Sequence, residues 1–495
     1  MTTAPRTPAP LETIEQIKTH LRESPQPVFY LSRSATNLSG LDRWVGGFHY
    51  VTLSDSWDGA HPRAFTPRGI PRIEPRGNIN IVNWLLGNAE VQEYIARNTP
   101  EGFTPQIVLA MFDEASERLC ERLGYELIMP SIALRGRIDS KLVTTRLGNE
   151  AGVPSVPNLL TRISGWDDLR AQAEEAGLGE QLVIQLAFGD SGRTTYFVST
   201  REDFDGVADH VIGPEIKVMR YINHQPLAAE AVITSAGTVV GPVLREITGH
   251  PELTRYRGGW SGSEMYPSLI DDDARGRIGE LVERFCGRLA EEGYRGILEV
   301  SILRDTDTGE IYLGELNPRI SGSSAHSNLT PGDTTLPLFA YHLLEYSGVP
   351  FVLDLDGIRA ERQRALAGQE WSTLIVQYPG AGVDRIETAA RTGRYRVTDD
   401  GALAFVAPEL DWQGLSGPED AFWYRAVAEG EICGPGVDIG MLVVRRRAQE
   451  DHYALTPFAK GAILAVQAEY RGRRINPLLR YWRAGVRVVR ERLGR

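Results

Sequence analysis

The sequence predicts a multidomain chain of mixed α/β and α+β class: a small parallel α/β domain, a larger α+β region, and a β-rich C-terminal region. Three observations carry this expectation. Up to about residue 136, apolar strand-like runs alternate with helical patterns, as in a parallel sheet. Between 181 and 316, short polar or Gly/Ser turns join strands in pairs, as in antiparallel hairpins. Beyond 350 the hairpin signal recurs in "YRVTDDGALAFV", with Asp400 and Gly401 suited to a tight turn.

In the first unit (1–136), a Pro-rich leader gives way to the strands "PVFYL" (27–31) and "FHYVTL" (48–53), and residues 78–98 read as one amphipathic helix. "QIVLAMF" (106–112), a short helix to Gly124 and the strand "ELIMP" complete it. The second unit spans 137–345. Asp139 is placed to cap a helix that the turn at 152–154 stops. A lid-like subdomain at about 155–220 then holds the buried strand "QLVIQLAF" (181–188), a returning strand after "GDSGR", and "EIKVMRYI". The remainder, about 221–345, carries "LAAEAVIT", a long helix at 274–293, and the strands "RGILEVSIL" and "IYLGEL" across the turn "RDTDTGE". The third unit (346–495) adds the second hairpin, a helix at 457–470, and an Arg-rich tail.

With 495 residues, 42% of them hydrophobic, the chain can bury several cores. A formal net charge of -12 argues against a general nucleic-acid or anionic-membrane binder. Cys120, Cys286 and Cys433 are far apart and form no CxxC pair, which argues against a disulfide framework or a structural zinc site. There is no signal-peptide h-region and no apolar run long enough to span a bilayer, so a soluble cytoplasmic protein is expected.

The chemistry concentrates in "GELNPRISG" (314–322). In a strand, residues i and i+2 share a face, so Glu315 and Asn317 project together, and Pro318 ends the ladder. Glu299, an acid inside the apolar "GILEVSIL", is expected opposite Glu315 across an antiparallel hairpin. Two apposed carboxylates repel unless a cation joins them. Mg2+ suits such a pair, with Mn2+ able to stand in its place, and it completes its shell with water and phosphate oxygens. Magnesium in turn implies a nucleoside triphosphate. A surface hairpin with solvated acids has the same local pattern, so two upstream features matter. Gly189 and Gly192 flank Ser191 in a loop that can form an anion nest, and Lys141 starts a helix within reach of a phosphate.

Taken in order, the lysine helix ending in "AGVPSVP", the small-residue loop, "VMRYI", "GILEV" and "GELNPR" resemble the ATP-grasp superfamily over roughly residues 100–345. The resemblance implies an ATP-grasp fold, two α+β subdomains clamping ATP. It implies that Glu299, Glu315 and Asn317 hold Mg2+ and that Arg319 lies beside the transferred phosphoryl group. It further implies that Lys141 is the first nucleotide lysine, that Arg220 and Ile222 border adenine, and that Glu230 faces ribose or phosphates. Many members carry a lysine where this chain has Gln185, so either another cation, Arg193 or Arg245, compensates or nucleotide affinity is modest, and Arg245 is assigned with Arg319 to phosphoryl transfer. Ser321, Ser323 and Ser324 are candidates to orient the acyl acceptor.

The first unit and the "RIDSK…AGVPSVP" junction also resemble a group with a pre-ATP-grasp domain that includes actinobacterial peptide ligases of natural-product pathways. The implied activity is ATP-dependent carboxylate–amine ligation through an acyl phosphate, an acid–amino acid or peptide ligase that releases ADP and phosphate. Its partners would be a small-molecule or peptide carboxylate and an amine, with neither nucleic acid nor a stable membrane association, and the resemblance favours a homodimer. Two alternatives stand beside it. One is a biotin-carboxylase-like enzyme, whose metal strand shares the E…E-x-N-x-R spacing. The other is an inert nucleotide-binding or interaction protein. The tail, 471–495, has nine arginines and one acid, with apolar residues near one helical face, and suits docking on its own domain, a second subunit or an anionic partner.

Overall fold

The structure is a computed structural model that describes residues 9–68, 77–189, 194–255, 258–329, 335–398 and 401–475. The Arg-rich tail helix, the 399–400 turn and Ser191, Gly192 and Arg193 of the expected phosphate loop lie outside these residues.

The first sheet is parallel. It contains β1 (Val28–Ser32), β2 (Phe48–Thr52), β3 (Ala64–Phe65), β4 (Gln106–Leu109) and β5 (Glu126–Leu127), in the order β3-β2-β1-β4-β5. Every residue of β1 and β4 is buried, as expected of parallel strands covered on both faces. The single helix expected over 78–98 is two, Asn78–Gly87 and Ala89–Arg97. Asn88 causes the break: its extended backbone ends the first helix, and its side chain accepts hydrogen bonds from the N–H groups of Glu90 and Val91 to cap the second. Asp139 likewise caps nothing at an N-terminus. It ends the helix Ile132–Ile138, which the sequence pattern did not reveal, and the next helix, Lys141–Glu150, starts after Ser140.

The lid is a four-stranded antiparallel sheet of β6 (Asn158–Thr161), β7 (Leu182–Leu186), β8 (Thr195–Val198) and β9 (Ile216–Arg220), ordered β6-β9-β7-β8. One face packs on the lid's own helices through Leu182, Ile184, Val198 and Val218. The other carries Val183 and Met219, packed with Ile222, Leu303 and Tyr312.

The largest sheet has ten strands and crosses the expected boundary at 345/346. Its first half is β10 (His224–Thr234), β11 (Gly237–Thr248), β12 (Trp260–Met265), β13 (Gly296–Asp305) and β14 (Ile311–Asn317). β12 pairs directly with β15 (Trp371–Gln377) from the C-terminal region. There β16 (Asp384–Thr388), β17 (Gly393–Val397), β18 (Leu403–Ala407), β19 (Asp420–Arg425), β20 (Ile432–Cys433), β21 (Asp438–Val444) and β22 (Arg471–Arg474) divide between the large sheet and a three-stranded one. The β17–β18 hairpin forms as expected. So does the late helix, at Pro457–Glu469.

The half of the large sheet built from β10, β11, β13 and β14 is covered on both faces. The long helix Asp272–Glu291 packs on one side through Ile278, Val282 and Phe285, against Leu227, Leu298 and Leu316. The other side meets the first domain and the helix Leu338–Glu345 through Val232, Ile297 and Phe339. Among the described residues no helix is long and apolar enough to cross a membrane. All three cysteines are buried and none is in a disulfide among the described residues.

His342 bolts the first domain to the large sheet. Its Nδ1 accepts the Ile297 N–H at 3.0 Å and its Nε2 donates to the Ile128 carbonyl at 2.7 Å. Burial holds this imidazole down to about 4, and buried His326 down to about 3. An unfolded histidine titrates near 6.5, so the stability contributed by the neutral rings is complete above that pH and is lost as pH falls through the interval to the folded values. At most, the rings contribute on the order of 3–5 kcal/mol each. The thermal midpoint is expected to drop steeply between pH 6.5 and 4.5, and His342→Gln, which has no such titration, is expected to flatten part of that slope in melts across a pH series.

Candidate active site

Glu230, Glu299 and Asn317 form one row across three neighbouring strands. β10 and β13 pair Glu230 with Glu299, and β13 and β14 pair Glu299 with Asn317. Glu315 therefore stands one position along, opposite Ser301, and not opposite Glu299 as the sequence suggested. A β-bulge, which sets Ser301 against Glu315 but Ile302 against Leu313 and leaves Gly314 as the extra residue, shifts the register by one and brings Glu315 and Asn317 onto the Glu299 face; without it Leu316 would oppose Glu299. All four groups still share one face of the sheet, the one toward the first domain.

Their hydrogen bonds form a closed set. Asn317 donates Nδ2 to Glu299 Oε1 at 2.9 Å and accepts at Oδ1 from Arg319 Nη1 at 2.5 Å. Ser321 Oγ lies 2.5 Å from Glu299 Oε2 and 2.9 Å from Glu230 Oε1, and Ser324 Oγ lies 2.5 Å from the same Glu230 oxygen. Glu230 is fully buried, and its Oε2 has no hydrogen-bond partner among the described residues. Burial first, and the Glu299 carboxylate second, push its carboxyl up to about 8. Glu246, half-buried on β11, is a further acid of this cluster. Burial, Glu299 and Glu315 raise it well above the carboxylate range.

The serine loop is thus arranged differently from expectation. Ser321 reaches the cleft, but Ser323 and Ser324 are buried beneath it, at 1% and 0% exposure. Ser324 serves Glu230, and Ser323 Oγ meets Ser263 Oγ at 3.5 Å. Neither hydroxyl is presented to an acceptor.

Arg245 also departs from expectation. It alternates with Glu246 along β11, so it lies on the opposite face of the sheet. There its guanidinium is 3.4 Å from Glu264, donates to Tyr266 Oη and the Glu450 carbonyl at 3.0 Å each, and stacks 4.1 Å over Tyr453. It is 2% exposed and its partner Glu264 is 0% exposed. This arginine supports the sheet and does not compensate for Gln185. The second guanidinium near Arg319 is instead Arg135, stacked 4.7 Å from Phe112, which burial and then the Arg319 charge bring down to about 10.

The cation that accompanies Gln185 is Lys217. The two residues face each other in the β7–β9 ladder, on the cleft face that also carries Val183 and Met219. Lys217 is 1% exposed, and no hydrogen-bond acceptor is recorded for it among the described residues. Burial first, and the Lys141 charge second, bring its ammonium down to about 8, with Glu315 acting in the other direction. Lys141 itself is 2.7 Å from Glu315 Oε2 and donates to the Gly189 carbonyl at 3.0 Å, and its own N–H donates to Ala187. Lys141 is thus paired with Glu315 at the small-residue loop, with Lys217 within electrostatic reach of both. Gly189, with φ +158°, leaves room for Thr194, which a Cβ there would meet at 1.9 Å.

In the segment expected to border adenine, Ile222 packs with Met219 and Val183, and Met219 lines the cleft. Arg220 pairs with Leu182 on the other face of the lid and donates to the Gly177 carbonyl at 2.8 Å, so its side chain points away from the cleft. These walls enclose a cleft of about 570 Å3, lined by Gln185, Met219, Glu246, Glu299, Glu315, Asn317 and Arg319 among others.

Among the described residues no group of three or more His, Cys, Asp or Glu is placed to hold a metal ion. Two carboxylates and an amide oxygen are nevertheless the donor set that Mg2+ uses when water and phosphate complete its shell. Glu299 and Asn317, joined by a hydrogen bond and fixed by Arg319, with Glu315 on the same face, fit that use.

This lid, cleft and large sheet define the ATP-grasp fold, and comparisons with solved structures bear out the architecture expected from the sequence. The chain is similar to biotin carboxylase from Campylobacter jejuni, solved as a β-γ-ATP complex, with TM-score 0.59 and 13% identity over 90% of this chain and 91% of that one. It is similar to the biotin carboxylase domain of 2-oxoglutarate carboxylase from Hydrogenobacter thermophilus, a dimer solved with MgADP, ADP and bicarbonate (TM-score 0.56, 14% identity, 90% of each chain). It is also similar to N5-carboxyaminoimidazole synthase from Aspergillus clavatus, in complex with ADP and 5-aminoimidazole ribonucleotide (TM-score 0.53, 13% identity, 89% of this chain and 98% of that one). No family model matches the chain, and no curated protein matches it in sequence.

Proposed function

We propose that the protein is an ATP-dependent carboxylate–amine ligase, joining an acid to an amino acid or peptide amine through an acyl phosphate. The observation that carries this is the single row Glu230–Glu299–Asn317 with Glu315 and Arg319 beside it, facing a cleft that Gln185 also lines, with Lys217 opposite Gln185 in the lid ladder and Lys141 paired with Glu315. Glu299, Glu315 and Asn317 would hold Mg2+, which when bound supplies charge neutralisation at the phosphates.

The residues act by position and charge. Met219, Ile222 and Val183 give the base an apolar seat. Lys141 and Lys217, with the main chain at Gly189, meet phosphate charge. Arg319, fixed by Asn317, stabilises charge that develops as a carboxylate oxygen of the acid bonds to the γ-phosphorus and ADP leaves with the electron pair. The amine nitrogen then bonds to the acyl carbon, phosphate leaves with the C–O pair, and the amine loses a proton. Incubation of ATP and Mg2+ with pairs of acids and amines, followed by mass detection, is expected to show an amide formed together with ADP and phosphate. A second reading, with bicarbonate as the acid, has the fold likeness to biotin carboxylase in its favour; phosphate release that needs bicarbonate and free biotin, with no amide product, would establish it instead.

Lys217 gives a specific expectation. Lys217→Gln is expected to raise KM for ATP about tenfold or more, since a charge-assisted contact to phosphate is lost. The exchange Gln185→Lys with Lys217→Gln, which moves the ammonium across one ladder rung, is expected to recover most of that loss. Equal KM values for wild type and Lys217→Gln would remove Lys217 from the nucleotide site.

A further inference from the structure

The cleft does not end at the serine loop. A second chamber of about 230 Å3 adjoins it, and Asn37, Asn78, Ala110, Met111, Trp260 and Gly322 line both cavities. These residues form a neck. Asn37, from the segment after β1, donates Nδ2 to the Ser321 carbonyl at 2.7 Å. Gly322 lies so close to the Trp260 indole that a Cβ there would come within 2.1 Å of Cη2. One end of the neck therefore opens beside Ser321 and Arg319, where an activated carboxyl would stand, and the other opens into a space between the first domain and the C-terminal strands β15 and β21.

The chamber's lining is mostly apolar or uncharged, with Tyr30, Val82, Met111 and Ile375 beside hydroxyl and amide groups. It contains two charged residues, Arg33 and Asp438, which lie within electrostatic reach of each other. Arg33 is half-buried and Asp438 is exposed. A planar guanidinium partly withdrawn from water recognises a carboxylate in a fixed, two-pronged geometry. An exposed acid beside it discourages a second carboxylate. The chamber is smaller than sites for drug-sized ligands, which begin near about 300 Å3, so it suits one residue-sized unit.

We propose that this chamber seats the amine substrate, and that the substrate is a small amine bearing its own carboxylate, an α-amino acid or the corresponding end of a short peptide, anchored by Arg33 with its amino group directed through the neck. The proposal rests on the acyl-phosphate reading and adds where the acceptor is seated and which residues select it. A nucleophile must pass from a protected seat to the acyl carbon, and the neck is the passage that leads from a chamber of the right size to the metal-side cleft.

The test separates binding from turnover in the full-length protein. Wild type, Arg33→Met and Asp438→Asn, each with MgADP, are titrated calorimetrically with the L-amino acids and with their C-terminal amides. In parallel, amine-dependent phosphate release is measured with an acid taken from the mass-detected screen. Wild type is expected to bind at least one amino acid about tenfold or more tightly than its amide, the gain expected of a charge-assisted pair. Arg33→Met is expected to erase that preference and raise KM for the amino acid, with KM for ATP unchanged, which also shows that the variant is folded. Asp438→Asn is expected to admit aspartate or glutamate more readily. Amides that serve as well as amino acids in the wild type, or a preference that survives in Arg33→Met, would overturn the proposal. If amino acids bind as expected but no acid supports turnover with any of them, the acyl-phosphate reading fails while the chamber assignment stands.

Discussion

Glu299→Gln and Glu315→Gln are each expected to lower amine-dependent phosphate release by about a hundredfold to a thousandfold, the range seen when one preorganised electrostatic group is removed. The two variants should differ in stability. Glu299 shares a ladder rung with buried Glu230, and its charge helps keep that carboxyl protonated. Glutamine at 299 removes the repulsion while its carbonyl oxygen can still accept from Asn317 and its amide N–H can donate to Ser321 Oγ, so its thermal midpoint is expected to equal or exceed that of wild type. Glu315→Gln instead strips Lys141 of its 2.7 Å partner and removes the negative charge near buried Lys217, so a modest drop is expected. In both variants MgATP should lose most of its stabilising shift in thermal melts, because a ligand stabilises only through the state that binds it. Full activity in either variant would remove that residue from the metal site.

Arg245→Ala is expected to act on folding and to leave the nucleotide site intact until the protein unfolds. The side chain is sealed on the far face of the large sheet, where Glu264 also accepts from the N–H groups of Ala448 and Gln449. Removing the guanidinium leaves a buried carboxylate facing a void, a loss of about 3–5 kcal/mol for a broken buried pair. Denaturant unfolding should show that loss, with KM for ATP unchanged at temperatures where the variant is folded. The paired change Arg245→Met with Glu264→Gln should recover part of the stability. A phosphoryl-transfer role would give the reverse: little change in stability and a collapsed kcat.

These contrasts show what was legible in the sequence. Glu299, Glu315 and Asn317 stood out because strand alternation and a short polar turn are local signals, each contained within about twenty residues. Their register was less legible, since the Gly314 bulge moves Glu315 by one position without any change in hydrophobic pattern. Lys217 was hidden for a different reason. Its relation to Gln185 depends on a ladder between strands 32 positions apart, and no composition signal specifies which residues oppose one another. Glu246 had a signal, an acid inside the apolar run "VVGPVLREIT", and reading that run as a strand would also have placed Arg245 on the opposite face. The serine loop misled because small hydroxyl residues suit substrate contact and buried acid-capping equally well, and only the tertiary position of Glu230 decides between them. The pairing of β12 with β15, which carries the sheet into the C-terminal region and closes one side of the second chamber, has no local signature at all.

The central claim is that the cleft activates an organic acid by phosphorylating it. Its most direct test is oxygen transfer. The acid found in the product screen is prepared with both carboxylate oxygens as 18O and turned over with unlabelled ATP, Mg2+ and the amine, and the released phosphate is examined by mass spectrometry. An acyl-phosphate route requires one 18O in each phosphate formed, in step with one amide. Phosphate carrying no 18O from the acid, or 18O acquired only from labelled bicarbonate or water, would contradict it.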